Sequence, residues 1–307
     1  MIKHSLVCLL QNEKDYSYKT LRLSGEPKLE DFQRVYNYNV NNLKKIITYC
    51  HNNNISSLRV TSSLFPLSTH KKYQEKVVNI IDDALSQLDN FNYKSIELSM
   101  HPDQFILLSS INENVNLQSR YDLELNAYIA KKIPIKLINI HIGSKVNGLD
   151  FHKEVLSKNI SQLSCDVRNL LSFENDEKSY DFQTTLNIAQ ENGIMMVADF
   201  HHERCYQRRQ SNYLIKNEEV DMLIYENFEK IISTYQNKMS LPTFHISSPI
   251  NGWTGKECSH ADYINISDYP HHLQNCAKKR GQEVILDIEA KHKQLAIYEL
   301  NNQLRNN

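Results

Sequence analysis

Histidines and carboxylates recur at one kind of position in this 307-residue chain, the polar end of a short apolar run. SIELSMHPDQF turns polar at His101, KLINIHIGS at His141, LLSFEND at Glu174, and IMMVADFHHE at Asp199 with His202 three residues on. PTFHISS carries His245, EVILDIEAKHK carries Glu289, and His260 lies in the loop between them. Imidazole nitrogens and carboxylate oxygens form the mixed ligand set of divalent metals such as Zn²⁺ or Mn²⁺. Crowded together without a cation, the same groups would repel one another or titrate. A single histidine or carboxylate at a strand end fits a hydrogen-bonded or helix-capping role. Six in succession do not, because unpaired buried charge is costly. With His260 the set is too large for one ion and suits two or three. Such a cluster activates water and clamps the attacking and leaving oxygens of a phosphoester displacement. Glu174, His101, Asp199 and Glu289 are the candidate catalytic ligands.

The elements that must position these residues alternate along the chain. Apolar runs at 2–9, 57–62, 95–100, 136–141, 169–174, 194–199, 241–246 and 283–288 read as strands buried on both faces. Amphipathic segments at 30–52, 71–90, 115–131, 151–165, 181–192, 218–236, 268–280 and 290–304 read as helices. Eight strand–helix pairs in strict alternation point to an α/β fold, a (β/α)₈ TIM barrel, with a doubly wound open sheet as the alternative. No GxGxxG or GxxxxGK[ST] loop follows any strand, which weakens the nucleotide-binding forms of the open sheet. Barrels of roughly 250 residues commonly form one domain, so a single domain over 1–307 is expected. In a barrel, all six ligand-bearing strand ends open on one mouth. The long segments 10–30, 201–217 and 246–266 follow strands, so they are expected as loops on that face.

A net charge of −1 neither demands nor excludes a polyanionic partner, since metal ions can supply the positive field. Gly and Pro number 7 each, against disordered or fibrous classes. Cys8, Cys50, Cys165, Cys205, Cys258 and Cys276 form no CxxC pair, so they read as free thiols in a reducing compartment. The first ten residues are too short for a signal peptide, and no apolar run reaches the ~18 residues of a membrane span. A soluble, cytoplasmic protein is expected. Trp253, the only tryptophan, fits base stacking or loop anchoring equally well. Arg204, Arg208 and Arg209 read either as phosphate contacts or as a solvated loop face, the commoner case. Lys44 and Lys45 read as surface charge.

The chain resembles the UV damage endonuclease family. The resemblance is carried by KTLRL at 19–23, SSLFPLSTH at 62–70, MHPDQF at 100–105, IH at 140–141, FEND at 173–176 and DFHH at 199–202. It continues through HISS at 245–248, SHADY at 259–263 and IEAKHK at 288–293. Together these motifs are specific, although no single one suffices. The resemblance implies a barrel related to the metal-dependent abasic-site endonucleases, with a metal cluster that is often manganese. It implies Glu174 as the bridge between two metals, with Asp199, His245 and Glu289 completing one site and His101 and His141 the other. His202 and His260 would hold a third. Gln104 and Phe105 match the pair that inserts into the duplex at a lesion. His70, Lys291 and Lys293 match positions near DNA phosphate, and Lys291 and Lys293 alternatively face the carboxylates.

Three departures from the family pattern bear on lesion recognition and, at Thr243, on metal affinity. Leu6 and Leu10 stand where a Tyr and an Asn are common, Thr243 stands where a lysine is common, and Phe105 keeps a ring without a hydroxyl. The implied activity is metal-dependent hydrolysis of lesion-containing double-stranded DNA on the 5′ side of the damage, without an obligate protein partner. A metal-dependent sugar isomerase, epimerase or tailoring enzyme on the same scaffold is the alternative, since fold alone does not fix chemistry. A non-catalytic DNA-binding or metal-storing protein is a more distant one.

Overall fold

Eight strands lie side by side and leave no free edge: β1 (Ile2–Val7), β2 (Ser57–Val60), β3 (Glu97–Met100), β4 (Ile135–His141), β5 (Leu171–Glu174), β6 (Met195–Asp199), β7 (Thr243–Ile246) and β8 (Val284–Ile288). Each is parallel to its neighbours, and β1 pairs with β8 to close the barrel. The computed structural model describes residues 1–102, 105–144, 148–212, 215–254 and 258–306. Strands β5 to β8 are buried at every residue, which is why they read as unbroken apolar runs.

Helices cover the barrel between strands. α1 (Leu29–Asn52) follows β1, α2 (Val78–Leu85) follows β2 and α3 (Glu113–Lys132) follows β3. α4 (Leu149–Ser161) and α5 (Cys165–Leu170) follow β4, and α6 (Phe182–Asn192) follows β5. α7 (Phe200–Gln210), α8 (Asn217–Glu226) and α9 (Phe228–Thr234) follow β6, α10 (His271–Arg280) follows β7, and α11 (Lys293–Asn306) follows β8. Side-chain caps set several starts: Asp181 accepts the Thr184 N–H at 2.8 Å for α6, and Ser164 accepts the Val167 N–H at 3.2 Å for α5. One continuous apolar cluster, including Phe32, Leu43, Phe173, Phe200 and Phe244, joins helices to strands. Among the described residues no helix is long and apolar enough to cross a membrane.

The eight expected strands all form. The helical boundaries differ in four places. The segment 71–90 becomes helical only at Val78, 151–165 divides where Ser164 caps a new helix, and 218–236 divides at Asn227. The expected loop 201–217 instead begins with helix α7. Its sequence, FHHERCYQRRQ, has no apolar stripe, because its buried face is largely polar and satisfied by partners. Arg204 shows how: it is 1% exposed, and its Nε and Nη2 donate to the two oxygens of Asp221 at 2.8 and 2.7 Å. Its Nη2 also donates to the Asp268 carbonyl at 3.0 Å. Arg204 is therefore an internal tie, neither solvated nor free for phosphate.

The expectation that every cysteine is a free thiol is corrected as well. Cys205 of α7 and Cys258 form a disulfide, whereas Cys8, Cys50, Cys165 and Cys276 are free. The partners are 53 residues apart with no local motif. Only the folding of the loop after β7 onto α7 brings them together.

Candidate metal centre

Strand register sets the expected ligands side by side at the C-terminal mouth. His141 stands beside Glu174 across β4 and β5, Asp199 beside His245 across β6 and β7, and His245 beside Asp287 across β7 and β8. His101 immediately follows β3, and Glu289 immediately follows β8 with its N–H donating to the Ile246 carbonyl at 2.9 Å. Among the described residues, two groups of possible ligands result. One is His101, His141 and Glu174; the other is Glu174, Asp199, His245 and Glu289. Within each, the ligand atoms lie no more than 4.8 Å apart, and Glu174 belongs to both.

Glu174 is held from several sides. Its Oε2 lies 3.1 Å from His101 Nε2, and its Oε1 lies 2.9 Å from His245 Nδ1. Asn139 donates to Oε2 at 2.5 Å and is itself fixed by the Ser172 hydroxyl at 2.8 Å. His245 Nδ1 is also 3.2 Å from Glu289. Asp199 divides its oxygens: Oδ1 accepts the His202 N–H at 2.7 Å and caps α7, whereas buried Oδ2 has no hydrogen-bond partner among the described residues. Nδ1 of His141 is likewise buried and without a hydrogen bond. Lone pairs left open in a mixed N/O cluster fit divalent cations well.

The electrostatics point the same way. Burial alone would raise the Glu174 carboxyl, yet the imidazoles of His245, His141 and His101 draw it well below the carboxylate range. Burial, with Glu174 and Glu289 nearby, pushes Asp199 up to about 6 against the pull of His202. Burial opposes protonation of His202, but Asp199, Glu177 and Glu174 outweigh it and raise its pKa to about 10. His245 is likewise raised, against burial, by Glu174 and Glu289. Metal binding would displace protons from histidines raised in this way.

His202 and His260 join neither ligand group, although their ring centroids are 6.2 Å apart. His202 Nε2 lies 3.8 Å from Asp199 and 3.9 Å from Glu174, its Nδ1 lies 3.1 Å from Glu177, and His260 lies 3.7 Å from Glu289. Both line the mouth. Phe105 is 76% exposed just beyond His101, and Gln104 lies outside the described residues. His70 follows β2, its ring against Tyr73 and its Nδ1 accepting the Lys72 N–H at 3.2 Å. Lys291 is exposed and lines a recess of about 190 Å³ with Arg59, His260, Glu289 and Lys293.

The departures have structural outcomes. Leu6 and Leu10 are buried in the core, so neither offers a group to a duplex. Thr243 is buried, with its hydroxyl donating to the Leu241 carbonyl at 3.1 Å. Trp253 anchors a loop: its Nε1 donates to Asp268 at 2.7 Å, and its carbonyl accepts from Arg208. Arg209 donates to the Glu177 carbonyl at 2.8 Å. Sequence reasoning missed Asn139, Glu177, Arg59 and Asp287. The last two carried a signal: each is the lone charge in a short, mostly buried strand, and such a charge needs a partner.

Residues 5–307 match the sequence family described as UV-endonuclease UvdE. A UV DNA damage endonuclease of Bacillus cereus strain B4264 is 26% identical over 287 residues, covering 92% of this chain and 86% of that protein. The crystal structure of SacUVDE superposes with a TM-score of 0.77 at 23% identity, covering 100% of this chain and 99% of that one. Endonuclease IV from Thermus thermophilus superposes with a TM-score of 0.57 at 12% identity, covering 99% and 100%.

Proposed function

The chain belongs to the UV-endonuclease UvdE family, a family of DNA-repair endonucleases, and from that premise we propose that it hydrolyses the phosphodiester on the 5′ side of UV-damaged or distorted bases in double-stranded DNA with divalent metals. The observation that carries this reading is the pair of ligand groups sharing Glu174 at the barrel mouth. Manganese is the metal we favour, with zinc as the alternative. Glu174 would be shared by two metal positions, with Asp199, His245 and Glu289 holding one and His101 and His141 the other, and His202 and His260 would hold a third. When bound, the metals would activate a water and stabilise the attacking and leaving oxygens of an in-line displacement.

The chain's own residues prepare the site for that chemistry. Asn139 keeps the Glu174 carboxylate turned toward both groups. Asp199 stays aimed at the mouth because its other oxygen caps α7. The carboxylates then serve as ligands, and none is needed as a nucleophile. Phe105 offers an exposed ring that replaces lost stacking when a damaged nucleotide leaves the duplex, which is cheapest where stacking is already broken. His70 and Lys291 are the phosphate contacts of this reading. It takes the chain as one functional domain, placed in the cytoplasm with its DNA substrate and without an obligate protein partner. Whole-chain family membership, not barrel shape, favours it over the isomerase reading.

An end-labelled duplex oligonucleotide carrying one thymine dimer tests the position of incision. A metal-dependent product ending on the 5′ side of the dimer is expected. Cleavage on the 3′ side, or at undamaged positions equally, would overturn this assignment.

A further inference from the structure

Below the ligand groups, the barrel interior holds a charged pair that ligand roles leave unexplained. Asp287 of β8 is fully buried, and among the described residues neither carboxylate oxygen has an aligned hydrogen bond. Its nearest charged neighbours are His245 Nε2 at 3.2 Å and Arg59 Nη1 at 3.5 Å. Arg59, from β2, also pairs with Glu289. Arg59 therefore ties Asp287 to a proposed ligand from one side, and His245 ties it to the centre from the other.

The orientation of His245 gives this arrangement a purpose. Nδ1 faces Glu174 and Glu289 at 2.9 and 3.2 Å, and Asp199 at 3.9 Å. Nε2 faces Asp287 alone among the charged groups within 4 Å in the described residues. A neutral imidazole that ligates through one nitrogen carries its proton on the other, and the partner of that proton selects the tautomer. A carboxylate buried this deeply is costly unless paired, and His245 and Arg59 are the charged groups it faces.

Resting on the metal-centre reading above, we propose that Asp287 is a positioning residue: its carboxylate accepts the Nε2–H of His245 and so presents Nδ1 to the metal held with Asp199 and Glu289, while Arg59 holds Asp287 and Glu289 in register. Carboxylates placed in this way fix ring orientation and strengthen the ligand.

Metal titration of the Asp287→Asn protein, followed by equilibrium dialysis with Mn²⁺ and elemental analysis, reads the effect. The position served by Asp199, His245 and Glu289 is expected to weaken roughly 10- to 100-fold while that of His101, His141 and Glu174 is kept, so one equivalent is lost at limiting metal. A merely structural role would weaken both or neither. Should the variant not fold, the wild type still decides. In Zn²⁺-loaded, ¹⁵N-histidine-labelled protein, long-range ¹H–¹⁵N correlations should show His245 protonated at Nε2. Protonation at Nδ1, or an unchanged titration in folded Asp287→Asn, overturns the proposal alone. Wild-type protein that takes up no metal overturns the metal-centre reading and this proposal with it.

Discussion

Asp199 caps the helix that carries His202: its Oδ1 accepts the His202 N–H at 2.7 Å, while Oδ2, 3.8 Å from His202 Nε2, is left for the centre. One carboxylate thus ends a strand, starts a helix and keeps one oxygen without a hydrogen bond among the described residues. Its two roles separate by substitution. Asparagine caps as well as aspartate but lacks the charge. Asp199→Asn should melt without metal no lower than wild type, yet lose the rise in Tm that Mn²⁺ confers on wild type. Asp199→Ala should lose the cap as well, on the order of 1 kcal/mol. Thermal melts with and without Mn²⁺ check both, and an undiminished metal response in Asp199→Asn would remove the ligand role.

Phe105 combines an exposed ring with a position beside the mouth, so its loss should leave folding within about 0.5 kcal/mol. One base–aromatic stack is worth ~1–3 kcal/mol. Phe105→Ala should therefore reduce the preference for irradiated over intact duplex by roughly 5- to 150-fold, and Phe105→Tyr should keep it. Competition binding with the two duplexes measures this. An unchanged preference in Phe105→Ala would mean that the ring does not probe the lesion.

The fold was legible because barrel strands buried on both faces announce themselves as apolar runs, and because His101, His141, Glu174, Asp199, His245 and Glu289 interrupt those runs at the same end. Positions decided by long-range partners were not legible. Helix α7 is buried through Arg204 and its partner Asp221, so no hydrophobic period betrays it. Arg59 and Asp287 meet only when β2 and β8 both flank β1 in the closed barrel. The Cys205–Cys258 pairing depends on where one loop returns. Leu6 and Leu10 read as altered lesion contacts, whereas the structure puts them in the core.

At the other end of the barrel, His4 joins β1 to Tyr269 and to Asn301 of α11. Desolvation pushes its imidazole below the ordinary histidine value, although the hydrogen bond with Asn301 acts the other way. With the folded pKa depressed, the unfolded chain takes the proton first as pH falls. The His4 contribution is therefore complete above about pH 6.5 and is lost as pH drops through the folded value. His4→Gln should give a shallower acid slope in urea-denaturation midpoints below about pH 6.5. An identical slope would show that His4 does not contribute to it.

The central claim, incision of damaged DNA by a metal centre bridged at Glu174, is tested most directly by nicking of supercoiled plasmid. UV-irradiated and untreated plasmid are compared, with Mn²⁺ and with chelator, for wild type and Glu174→Ala. Nicking confined to irradiated plasmid, abolished by chelator and absent in Glu174→Ala is the predicted result. No nicking by metal-loaded wild type, or nicking kept by Glu174→Ala, would contradict the claim.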